Sequence, residues 1–334
     1  METLNVRPAR LWLLVGAVWL AGCQPSVEKT SANYRVFGTE AQVTVRHPAD
    51  RSPDAVLSEL GQHFQRLHRD WHPWEPGALT ALNQGLQTGN WASISPELLE
   101  LLDAAQTYEI QTQGEFNAAI GQVVSLWGFH TSSYPITTPP PTPTDIDRLI
   151  RNQPSTLDIK RRIDSSGEVL IQTSNPSVGL DFSALAKGAA AGQACDLLAQ
   201  SGFDDALVNL GGDVLVCGPT ETPWRVAIQD PRSGILEVLE VSERLAVFTS
   251  GQYYRYGEWE GERYAHVLDP ATGYPIEHIL QATAIHPDPI LADAAATALV
   301  VAGFEKAKTL GETLGLEEWL VVNEAGDVLR MGPD

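Results

Sequence analysis

The sequence predicts an α+β domain, with mixed or antiparallel sheets and helices packed on them. Strand-like alternation and helical apolar spacing both occur, and they do not follow a regular βαβ order. In the second half of the chain one theme recurs, an apolar strand running into a glycine-containing turn. The chain of 334 residues is long enough to bury a full core. With 43% hydrophobic and 19% charged residues, disorder, collagen and coiled coil are excluded as the main architecture.

The chain opens with an address. Arg7 and Arg10 precede an apolar run from Leu11 to Leu20. That run, about ten residues, is too short to cross a bilayer core of roughly 30 Å. It suits a secretory signal peptide over residues 1–22. Leu20-Ala21-Gly22-Cys23 is similar to the lipobox of bacterial lipoproteins, in which the cysteine is lipidated and becomes the first residue. Residues 23–33 then read as a lipidated Cys23 and a polar tether, and residues 34–330 as one catalytic-sized domain. The protein is expected on the periplasmic side of a bacterial membrane, lipid-anchored to either the inner or the outer one.

In the body, Arg35–Arg46 alternates like a strand. Asp54–Trp71 carries Val56, Leu57, Leu60, Phe64 and Leu67 at helical spacing. Ser95-Pro96-Glu97 opens a second helix, with Ser as N-cap and Pro at the first helical position. Thr131–Thr144 is rich in Pro, Thr and Ser and reads as a loop. A polar helix near Asp145–Arg151 and strands over Leu157–Ile163 and Glu168–Thr173 follow. Further strands are expected at Leu207–Leu210, Leu245–Phe248 and Tyr264–Leu268. Cys195 lies in an Ala-rich helical stretch and Cys217 ends an apolar strand. They could pair in an oxidising compartment, but this placement favours two buried free thiols.

Lys and Arg number 22 against 42 Asp and Glu, a formal charge of −20. Removing residues 1–22 takes away Glu2, Arg7 and Arg10, which makes the charge −21. Such a chain is a poor nucleic-acid binder, and an anionic substrate would require a metal ion or a local cation. Four stretches can carry chemistry. In Ala292-Asp293-Ala294-Ala295-Ala296-Thr297 the carboxylate and hydroxyl stand four apart on one helix face and suit a hard cation such as Mg²⁺. A helix cap at Asp293 and a back-bonded Thr297 are the plainer alternative. In Ser183–Gly192 Lys187 is the one charge among small residues, either an anion partner or a snorkelling side chain. Asn209-Leu210-Gly211-Gly212-Asp213 permits close backbone approach or is simply a tight turn. Thr249-Ser250-Gly251 and then His266 complete the set, and His266 is either an acid–base group or a structural one. No GxSxG, HExxH, CxxC or Walker A motif occurs.

Taken in order, these stretches resemble the FAD:protein FMN transferase family, also called the ApbE family. The matching pieces are FGTEAQV (37–43), LDFSALAKG (180–188), ALVNLGGD (206–213), AVFTSG (246–251), YAHVLDPATGYPI (264–276) and ADAAAT (292–297), with LTALNQG (79–85), ISPEL (94–98), GEFNAAIG (114–121) and LWGF (126–129) upstream. The resemblance covers nearly the whole chain beyond Tyr34. It implies an ApbE-like fold and an enzyme that takes FAD as substrate with Mg²⁺ as cofactor. Such an enzyme moves FMN to a Thr or Ser hydroxyl of an acceptor flavoprotein subunit of a membrane redox complex, and releases AMP. It implies metal ligation by Asp293, Thr297 and a backbone carbonyl, that of Ala186, and a catalytic role for His266. It further implies nucleotide contacts at Lys187, Gly211, Gly212, Asp213, Thr249, Ser250 and Gly251. Trp71 and Trp74 are candidates for stacking on a ring.

The chain departs from the family pattern at Asn117, Ser183, Ala184 and Gln252, and Phe37 stands where Met is common. Those departures keep two alternatives in view, an FAD pyrophosphatase giving FMN and AMP and a non-catalytic flavin-binding lipoprotein.

Overall fold

The computed structural model describes residues 26–252 and 255–332. The signal peptide and Cys23 lie outside the described residues. The chain runs β1 (Val27–Val36), β2 (Thr39–Pro48), α1 (Asp54–Asp70), α2 (Ala78–Gln87), β3 (Ala92–Ser93), α3 (Pro96–Gln111), α4 (Gly121–Leu126) and α5 (Pro143–Ile150). It continues with β4 (Lys160–Ile163), β5 (Val169–Gln172), α6 (Ala186–Gln200), β6 (Ala206–Leu210), β7 (Asp213–Val216), β8 (Trp224–Gln229), β9 (Ile235–Val241) and β10 (Leu245–Gly251). The last elements are β11 (Tyr256–Trp259), β12 (Glu262–Ala265), β13 (Ile279–His286), α7 (Pro289–Leu314), β14 (Glu318–Asn323) and β15 (Val328–Met331).

The expected α+β class is what the chain forms. Its centre is an eight-stranded sheet in the order β1-β2-β6-β7-β10-β13-β14-β15, antiparallel at every pairing. Period-two alternation sends neighbouring side chains to opposite faces. Ala246 and Phe248 of β10 therefore join the main helical core, while Val247 joins a second core. In that second core Val214, Val216, Ile285 and Val322 pack against Trp224, Val226 and Ile228 of the β8–β9 hairpin. The helical side holds α1, α6 and α7. A third cluster around Trp127, Ile146 and Tyr264 ties α4 and α5 to β12.

Several expectations are corrected. The stretch assigned to a tether pairs from Val27 onward as β1, whose residues are mostly exposed, so it lacks the apolar alternation that marks a strand. Arg35–Arg46 is two strands joined at Phe37-Gly38, both with positive φ. Leu157 belongs to a 3₁₀ turn ahead of β4. The proposed strand at Tyr264 ends at Ala265, one residue before His266. Cys195 and Cys217 are disulfide-bonded, with Cα atoms 5.0 Å apart. The helix and strand that seemed to separate them lie side by side, since α6 packs on β7. The helix start at Ser95 is as expected: its side chain accepts the Leu98 N–H.

Candidate active site

The N-terminal ends of α6 and α7 meet the turn between β6 and β7 and the end of β10. Two glycines let them close. Gly188 lets α6 approach α7 so tightly that a Cβ there would fall 2.1 Å from the Pro289 carbonyl oxygen. Gly211 has φ +71°, and a Cβ on it would fall 2.1 Å from Thr39 Oγ1. Around this junction lies a cavity of about 900 Å³ lined by Lys187, Gly211, Gly212, Asp213, Thr249, Ser250, Gly251, His266, Asp293 and Thr297. Its size falls in the range of small-molecule sites. Of the residues expected at a site, Ala186 is not on this wall. It is buried as the first residue of α6, next to Lys187.

The Lys187 ammonium pairs with the buried Asp213 carboxylate. The other Asp213 oxygen accepts the Thr249 N–H at 2.8 Å. Asp293 Oδ2 accepts the Gly188 N–H at 2.8 Å. Thr297 Oγ1 lies 2.9 Å from Ser250 Oγ, and the Thr249 hydroxyl is taken by Thr283 at 2.8 Å. Burial and the nearby Asp213 push the Asp293 carboxyl up to about 7, against the pull of Lys187. Burial disfavours the Lys187 ammonium, but Asp213 and Asp293 outweigh it and the net shift is upward. Two buried carboxylates thus face one ammonium, and the centre is short of positive charge. Asp293 and Thr297 offer oxygen ligands one helical turn apart, a donor set that fits a hard divalent cation.

His266 follows β12 directly. Its Nδ1 is buried without a hydrogen-bond partner. Burial and the Arg255 charge bring it down to about 3, so it is neutral at pH 7 with a lone pair available.

Other residues on the cavity wall, the stacking candidate Trp74 apart, escaped the sequence reading. Arg225 and Arg255 face it. His130 Nε2 lies 3.1 Å from Asp181 Oδ2, and Trp74 stacks on the His130 ring at 5.1 Å. Trp74, Phe129 and Tyr134 give this end of the cavity an aromatic lining. Trp71 instead is buried in the helical core. Two of the unusual residues, Ser183 and Asn117, have local partners, whereas the Gln252 Nε2 is buried without one among the described residues. Ser183 bonds Asp181 through both its backbone N–H and its hydroxyl. Asn117 caps its own loop, donating to the Pro154 carbonyl at 2.8 Å and accepting the Ala119 N–H at 2.8 Å.

A profile of the ApbE family matches residues 37–320. A Rhodobacter capsulatus protein named FAD:protein FMN transferase is 34% identical over 325 residues, covering 96% of this chain and 60% of its own length. The chain thus spans less than two thirds of that relative. A Klebsiella pneumoniae protein of the same name is 30% identical over 329 residues, covering 94% of this chain and 92% of its own. The crystal structure of the ApbE protein from Thermotoga maritima superposes with a TM-score of 0.79 at 25% identity, over 91% of this chain and 97% of that one. Matched in sequence over most of its length and in fold throughout, the chain belongs to the ApbE family.

Proposed function

We propose that this protein transfers FMN from FAD to a Thr or Ser hydroxyl of a target protein, forming a phosphoester and releasing AMP. The observation that carries this reading is the convergence of Lys187, Asp213, His266, Asp293 and Thr297 on one cavity, in a chain whose relatives are named for that reaction.

The neutral His266 accepts the proton of the target hydroxyl through its imidazole ring. The freed oxygen forms its bond to the phosphorus of the FMN half, the bond from that phosphorus to the bridging oxygen breaks, and AMP leaves with the electron pair. General-base help of this kind contributes roughly 10²–10⁴-fold. Asp293 and Thr297, with a backbone carbonyl at the start of α6, would hold Mg²⁺. That ion would supply charge neutralisation at the diphosphate. Lys187, held by Asp213, adds positive potential inside an acidic protein. The aromatic end at Trp74, Phe129 and Tyr134 suits a flat ring.

The target is read as a flavoprotein subunit of a membrane redox complex. The protein is read as lipid-anchored through Cys23 at the periplasmic side. The Cys195–Cys217 disulfide supports an oxidising compartment. The test is incubation with FAD, with and without Mg²⁺, together with a flavin-subunit domain. A Mg²⁺-dependent fluorescent band on the acceptor with AMP release is expected. AMP and free FMN with no labelled acceptor would make the enzyme a pyrophosphatase, and intact bound FAD would make it a carrier. A His266→Ala variant should lose at least 100-fold in transfer rate.

A further inference from the structure

Arg255 is the base of a small clip. It immediately precedes β11, and His266 immediately follows β12. Tyr256 pairs with Ala265, so Arg255 and His266 come next in register. The clip is held firmly. Ile136 donates to the Tyr256 carbonyl at 3.1 Å and accepts from Glu258 N–H at 2.8 Å. The Tyr264 ring occupies the space above Gly257, where a Cβ would come within 2.0 Å of it. Tyr264 also packs against Trp127 at 5.4 Å between centroids.

The Arg255 side chain reaches across to the turn between β1 and β2, where Nη2 would lie 3.4 Å from a Cβ on Gly38. Its charge is felt by both His266 and Lys187. Arg255 lines the same cavity as the candidate base and the Lys187–Asp213 pair. Most of the neighbouring charges have partners of their own, the buried Asp293 apart. Lys187 is paired with Asp213, Asp181 with His130, and Glu115 with Lys306. Arg225 has Glu240 directly across the β8–β9 ladder. Among the described residues no carboxylate lies within ion-pairing distance of Arg255. A guanidinium that faces a cavity and has no counter-charge among the described residues matches the geometry of phosphate oxygens.

Resting on the transferase reading, we propose that Arg255 is a catalytic residue that grips the diphosphate of the substrate dinucleotide. The same two-stranded clip then presents the diphosphate clamp and the proton acceptor together, so the hydroxyl and the phosphorus are aligned by one element.

The test uses the full chain in mild detergent, with Arg255→Gln and Arg255→Lys. Affinity for ADP and for riboflavin is measured by calorimetry, and transfer from FAD by acceptor fluorescence. Arg255→Gln is expected to weaken ADP roughly 10- to 100-fold, the loss of one or two charge-assisted hydrogen bonds. Riboflavin, which has no phosphate, should bind unchanged, and this readout also shows that the variant is folded. Arg255→Lys should recover part of the ADP affinity, because it restores the charge but not the fork. Equal ADP affinity in wild type and Arg255→Gln would overturn the proposal, and so would equal weakening of ADP and riboflavin. Failure of the wild type to label any acceptor would instead overturn the transferase reading, and the ADP comparison would still decide the role of Arg255.

Discussion

At the residue scale the centre is governed by an imbalance of charge. Asp293, pushed up to about 7 by burial and by Asp213, binds a proton in the folded protein over a range where the unfolded chain does not. Its contribution to stability is therefore full at low pH and is lost as pH rises from the ordinary carboxylate range through about 7. A divalent cation competes with that proton. The thermal shift produced by Mg²⁺ should grow as pH rises through 7 and level off above it, and Asp293→Asn should abolish both the shift and its pH dependence. A calorimetric melt with and without Mg²⁺ at several pH values measures this. Asp293, Thr297, Lys187 and His266 stood out in the sequence as reactive groups among small or apolar residues, but the residues alone left a structural reading open for each, and the family resemblance joined them into one site. Arg255 did not stand out, since its role depends on which residue it faces across a hairpin.

At the element scale, α6 and β7 are joined at two points. Lys187 meets Asp213 near one end, and Cys195 meets Cys217 at the other. The disulfide closes a loop with a sequence separation of 22 residues. Loops of that size stabilise by about 3 kcal/mol through the unfolded state. A Cys195→Ser/Cys217→Ser double variant should lose roughly 2–4 kcal/mol in a urea titration, and an unchanged midpoint would mean the bond is incidental. The sequence could not reveal this pairing, because spacing along the chain does not report that a helix lies on a strand. Helix starts were legible where chemistry is local, as at Ser95-Pro96. The β8–β9 hairpin, whose Trp224, Val226 and Ile228 alternate toward the second core, was not among the expected strands, and its place over the second face of the sheet is a tertiary fact.

For the whole molecule, the first question is where it resides. Among the described residues no helix is long and apolar enough to cross a membrane. On the proposed reading, attachment rests on the lipobox-like Cys23. In a bacterial host, wild type should sediment with membranes, and Cys23→Ser should move to the soluble fraction while keeping transfer activity. Retention of the variant in the membrane fraction would point to another anchor.

The order in which the site is built also has a consequence in time. Lys187 and Asp213 are made and can meet well before α7 is complete, but Asp293 and Thr297 lie at the start of that late helix. Contacts between such distant segments form late in folding. A chain arrested before Pro289 would hold the ammonium and its carboxylate partner but neither side-chain ligand for the cation. The side-chain donors for the cation would thus arrive only as α7 docks, and a chain truncated before Pro289 would leave FAD intact.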